Sequence, residues 1–174
     1  MKKIAFGMLA IGLVTVVVGC SSDSTPKKVE NNTEKTEQKE KKKEKEQVTF
    51  KVGETADVNG YQILVNSVDS SSGGEFDKPK EGNEFVLVNV TITNKTGKTQ
   101  SYNPYDFKLN ADGNAKDLDA MYISEDIEML SSGELDDGAS VSGTLVGEAK
   151  QGAKLKLQYH SSIFSDKALD IELN

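Results

Sequence analysis

Between Glu84 and Asn94 the chain reads EFVLVNVTITN, and its side chains alternate. Val86, Val88, Val90 and Ile92 fall on one face, while Asn89, Thr91 and Thr93 fall on the other. Successive side chains of a strand point to opposite faces, so the pattern fits extended chain and excludes an amphipathic helix. Phe85 and Leu87 make the first half apolar on both faces, which predicts a central strand partly covered on its second side. Ala153 to His160 alternates as cleanly, with Leu155, Leu157 and Tyr159 inward and Lys154, Lys156 and Gln158 outward. Ala168 to Leu173 repeats the pattern with Leu169, Ile171 and Leu173, and Tyr61 to Val68, Ala139 to Val146, Asp106 to Leu109 and Thr55 to Val58 complete the set. Turn signals separate them at Asn59-Gly60, Gly73-Gly74, Gly82-Asn83, Thr96-Gly97, Asp112-Gly113, Asp137-Gly138 and Gln151-Gly152. Seven or so strands spaced in this way predict an all-β antiparallel sandwich or barrel. The one short helix expected runs from Glu125 to Leu130, after Ser124, with acids in its first turn.

Upstream of Val48 the composition is different. Lys2 and Lys3 precede an apolar run from Ile4 to Val18, whose last two residues open the stretch Val17-Val18-Gly19-Cys20, with Ser21, Ser22, Asp23 and Ser24 after it. A permanent bilayer span needs roughly 20 apolar residues, so this shorter run reads as an export signal. Its end resembles a bacterial lipobox, in which the chain is cut after Gly19 and Cys20 carries a diacylglyceryl group and fatty acid of the palmitate class. Three segments follow: a lipoprotein signal peptide over 1–19, a lipidated Cys20 with a Lys/Glu-rich linker over 20–47, and a folded domain over 48–174. The linker from Ser21 to Gln47 has eight lysines, seven acids and one apolar residue, Val29, so it lacks the surface to offset chain entropy and is expected to be disordered. Cys20 is the sole cysteine. The domain must therefore stand on its core without a disulfide, which its length allows.

Several strand-and-turn stretches carry a family likeness: Val52-Gly53-Glu54, Glu81-Gly82-Asn83-Glu84-Phe85-Val86, Asn89-Val90-Thr91-Ile92-Thr93-Asn94, Tyr105-Asp106-Phe107-Lys108-Leu109, Asp112-Gly113, and Gly138-Ala139-Ser140-Val141-Ser142-Gly143-Thr144-Leu145-Val146. Over about residues 50 to 173 the chain resembles the immunoglobulin-like domain of unknown function found in exported lipoproteins of Gram-positive bacteria. Members of that family often carry the label telomeric repeat-binding factor 2. The resemblance implies an immunoglobulin-like antiparallel β-sandwich on the extracytoplasmic face of the membrane. It brings no catalytic residue with it.

Charge speaks against the DNA-binding label. The whole chain has no arginine, and residues 48–174 hold 11 lysines against 21 acids, a net of −10. Phosphate recognition runs on positive charge and bidentate arginine, so no nucleic-acid partner is expected. Asn110, Asp112, Asn114, Asp117 and Asp119 invite a calcium reading, yet an EF-hand loop needs glycine and glutamate where Ala115 and Met121 stand. A solvated turn is the expected state, with no cofactor beyond the lipid on Cys20. Glu134, Asp136 and Asp137 form a second acidic group. His160, the only histidine, has no nucleophile-elbow serine in the sequence to serve. Tyr102, Asn103 and Tyr105 are the best candidates for a recognition surface, since aromatics with adaptable polar neighbours suit binding loops. The expected role is a binding or interaction module, not an enzyme, with an envelope protein or cell-wall component as partner. The rivals are an assembly role through edge strands and a hydrolase using Asp117 and Asp119.

Overall fold

The computed structural model describes residues 27–28, 49–118, 122–124, 126–160 and 169–174. Twelve strands are found among them: β1 (Lys27–Lys28), β2 (Phe50–Lys51), β3 (Thr55–Val58), β4 (Tyr61–Ser71), β5 (Asn83–Asn94), β6 (Gln100–Tyr102), β7 (Phe107–Ala111), β8 (Asn114–Asp117), β9 (Gly133–Leu135), β10 (Ser140–Lys150), β11 (Leu155–Tyr159) and β12 (Leu169–Glu172). One sheet runs β1-β3-β4-β5-β10 and the other β2-β12-β11-β7-β8, with β6 and β9 paired apart. The strand pairs are antiparallel except β2 with β12. Two such sheets face to face are the predicted immunoglobulin-like sandwich.

The inward faces are the ones the alternation marks. Tyr61, Ile63 and Val65 of β4 and Val86, Val88, Val90 and Ile92 of β5 meet Phe107, Leu109, Leu157, Tyr159, Leu169 and Ile171 of the opposing sheet, all buried. The Tyr61 and Tyr159 rings stack at 5.9 Å, and Phe107 lies 4.8 Å from Tyr159. Asn66 bulges out between Val65 and Ser67, and its amide donates to Asn89 Oδ1 and Thr91 Oγ1 at 2.7 and 2.9 Å. One extra residue shifts the alternation by one, which returns Val68 to the core. The β3–β4 hairpin turns on Asn59 and Gly60, both at positive φ, as an Asn-Gly two-residue turn requires.

Two expectations change. Residues 126–130 form no helix. Glu128 O accepts from Thr144 N–H at 2.8 Å, and Leu130 N–H donates to Thr144 O at 3.0 Å, so the segment runs extended beside β10. Burying Leu130 in the core outweighs a helix of one or two turns, which gains little on its own. The segment can approach because residue 143 is glycine: a Cβ there would lie 2.6 Å from Leu130 Cα. Gly143→Ala is therefore expected to cost about 1–3 kcal/mol of stability, read as an earlier urea midpoint at unchanged slope. The second change concerns the linker, where Lys27 and Lys28 pair with Asp57 and Ala56 on the edge of β3. Cys20 and the rest of the segment over 20–47 lie outside the described residues.

The covered second side of β5 is real. Phe85, Leu87 and Val146 form a separate buried cluster under Tyr122 and Ile127, so these two residues from between β8 and β9 lie over the outer face of the first sheet.

Candidate binding surface

Tyr102, Asn103 and Tyr105 stand together but do different things. Tyr102 pairs with Gly133 across β6 and β9, and a Cβ at 133 would come within 2.5 Å of its hydroxyl. Its ring is half-buried against the core, so it supports the frame. Asn103 caps the 3₁₀ turn Pro104–Asp106, accepting from Tyr105 N–H at 3.0 Å and from Ser132 Oγ at 3.3 Å. Proline at the first position presets the turn. Tyr105 is held outward, 74% exposed.

Behind it, burial pushes the Asp106 carboxyl above the ordinary carboxylate value. The folded state thus holds the proton more tightly than the unfolded chain, and the charged group opposes folding once pH exceeds its folded pKa. Asp106→Asn is expected to raise the melting temperature at pH 7, with the gain vanishing below the ordinary value of 3.8. A gain that stayed constant across that range would contradict the assignment. His160 is exposed, and its N–H donates to Asp106 O at 2.7 Å.

The acidic group of the β7–β8 hairpin lies at the other end of β7. Asp112 and Gly113 form the turn at positive φ. Asn110 Oδ1 accepts from Gly113 N–H, and Asp112 Oδ1 from Lys154 N–H, both at 3.0 Å. Asp117 pairs with Lys108 at 3.1 Å. Strand alternation sends Asn114 and Asp117 to opposite faces of β8, so the structure does not bring them together, and Asp119 lies outside the described residues. Asp136 and Asp137 accept from Thr99 Oγ1 and Gly97 N–H beside β9, at the far end of β10 from Asp112. Two clefts do meet at Asp112. One, of about 300 Å³, is lined by Asn83, Asn114, Lys116, Glu148 and Lys150. The other, of about 420 Å³, is lined by Gly113, Lys154, Lys156, Glu172 and Asn174. Glu148 is held below the ordinary carboxylate range, chiefly by the Asn83 amide and also by the Lys80 N–H.

A third surface is not apparent from the alternation. Asp77, 6% exposed, accepts from Gly74 N–H at 2.9 Å and from Ile123 N–H at 3.1 Å. It thereby joins the β4–β5 loop to the chain that covers β5. Tyr122 adds an edge-on contact with Phe85 at 5.4 Å and a hydroxyl bond to Ser71. Beside these fastenings Phe76 stands 84% exposed and Ile123 60% exposed. The available signal was Phe76 itself, an aromatic set among turn residues with no alternating partner.

An immunoglobulin-like sandwich with its exposed aromatics on fastened loops is the class these features define. The domain of unknown function DUF4352 matches residues 50–170, and the chain belongs to that family. Solved structures share the fold. The ycdA protein of Bacillus subtilis, described as a candidate lipoprotein, matches at TM-score 0.56 and 22% identity, covering 66% of this chain. The chain spans only 37% of that protein's length. The yjhA protein of Bacillus subtilis matches at TM-score 0.57 and 22% identity, over 72% of this chain and 99% of its own. None of the curated proteins matches the chain.

Proposed function

We propose that the protein is an exported lipoprotein, held at the extracytoplasmic face of the membrane by acyl groups on Cys20, whose domain binds an envelope protein or cell-wall component. One observation carries the binding role. Among the described residues, the exposed large apolar side chains are Val52, Phe76, Tyr105, Ile123 and Met129, and none lies within a named strand. Loops that hold aromatics in water on a rigid frame offer contact area at low ordering cost. The lipobox pattern at Val17 to Cys20 and the likeness to a candidate lipoprotein support the anchor. A binding role is favoured over hydrolysis by Asp117 and Asp119 because Asp117 is already ion-paired with Lys108. The net charge of −10 on residues 48–174 disfavours duplex DNA as partner.

The test uses the soluble domain over 48–174 immobilised against envelope extract, beside Phe76→Ser/Ile123→Ser and Tyr105→Ser variants. At least one variant is expected to lose about tenfold or more in captured partner, the scale of a contact hot spot, with circular dichroism unchanged. Equal capture by all three proteins would remove the exposed loops as the binding surface.

A further inference from the structure

We propose that the outer edge of β3 is a strand-docking site, and that its occupant is the chain's own tether at Lys27–Lys28. β3 and β4 join through the two-residue Asn59-Gly60 turn, so Val58 and Tyr61 form the bonded pair beside it. By alternation the backbone groups of Ala56 and Val58 then face β4, while those of Thr55 and Asp57 face outward. Lys27 stands opposite Asp57 in the antiparallel register, where those outward groups need a partner.

The edge is receptive because nothing in β3 itself guards it. Natural edge strands are blunted by lysine, proline or a bulge, and Thr55–Val58 has none of these. The only charged side chain, Asp57, is turned to its own hairpin, accepting from Gly60 N–H at 3.0 Å and from Gln62 Nε2 at 2.7 Å. The edges at β8 and β10 are handled differently. β8 is exposed throughout and carries Lys116 and Asp117, and β10 is bridged at Thr144 by residues 128–130.

A two-residue contact is small, of the same order as the cost of closing the loop it creates. It can therefore open, and opening changes how far the domain stands from its anchor. Lys27 is the seventh residue after Cys20, so the docked tether reaches at most ~24 Å, whereas release to Val48 allows ~90 Å. This spacing rests on the lipid anchor proposed above; the docking itself does not.

Residue-resolved hydrogen exchange tests the docking on the mature protein in liposomes and on a Cys20→Ser chain in solution. In both, the Asp57 amide is expected to exchange about fivefold faster after Lys27→Pro/Lys28→Pro, the factor one net backbone hydrogen bond supplies. Proline has no N–H to give the ladder. The Ala56 and Ile63 amides, bonded within the hairpin, serve as the unchanged reference. Equal Asp57 exchange in parent and variant would overturn the proposal, as would protection that grows with protein concentration, because the strand would then come from another copy. Protection in the Cys20→Ser chain alongside failed acylation of the parent would keep the docking and remove only the spacing.

Discussion

Phe107→Ala is expected to lower the unfolding free energy by about 3–5 kcal/mol, the usual cost of emptying a large aromatic site in a core. Phe107 is wholly buried, lies opposite Tyr159 in the β7–β11 register and rests 4.8 Å from its ring. Tyr159 in turn stacks on Tyr61 of the other sheet. Removing Phe107 therefore undercuts the aromatic column that joins the two sheets. Whole-domain stabilities are of the order of 5–15 kcal/mol, so the variant would approach the threshold of folding. Urea denaturation of the soluble domain measures this, with Tyr105→Ala two residues upstream as the control. That exposed side chain should cost less than about 0.5 kcal/mol. A Phe107→Ala loss below about 1.5 kcal/mol would mean that the sheets are not joined through this column.

Cys20→Ala is expected to abolish incorporation of a fatty-acid analogue and to leave residues 1–19 attached, visible by intact mass. An alanine offers no sulfur to acylate, and the cut after Gly19 follows acylation in the lipobox reading. Buried acyl chains contribute about 0.8 kcal/mol per CH₂, and two chains anchor stably where one does not. The described residues contain no helix long and apolar enough to cross a membrane. If the alanine variant labels as strongly as the parent, the lipoprotein reading falls, while the sandwich and its loops are untouched.

The fold was legible wherever side-chain alternation met a turn signal. Thr55–Val58 comes out as expected, and β5, β11 and β12 differ from expectation by no more than a residue or two at each end. β4 and β10 run longer than expected because their polar ends still pair with β5, from Ser71 to Phe85 and from Lys150 to Asn83. The pairing is made by backbone groups, which leave no mark on the side-chain pattern. β2, β6, β8 and β9 escaped notice for a related reason. Each has four residues or fewer, and β8 is exposed on both faces. The expected helix at Glu125 to Leu130 had local signals in its favour, but burial of Leu130 against Gly143 overrode them, and tertiary contact of that kind is not written in either segment alone. On the candidate surface, Tyr105 was recognisable as an aromatic beside adaptable polar residues, whereas Tyr102 is committed to Gly133 through a pairing invisible in one dimension. The Asp77 fastening joins residues 46 apart and could not have been anticipated from spacing.

That fastening has an evolutionary consequence. Asp77 grips main-chain amides, and although the joint needs glycine at 73 and 74, the side chains of Phe76 and Ile123 take no part in it. Phe76 and Ile123 can be exchanged for other residues without loosening either loop. Under the binding role proposed above, a lineage carrying this scaffold would be free to change what it contacts by a few surface substitutions while the frame is inherited intact.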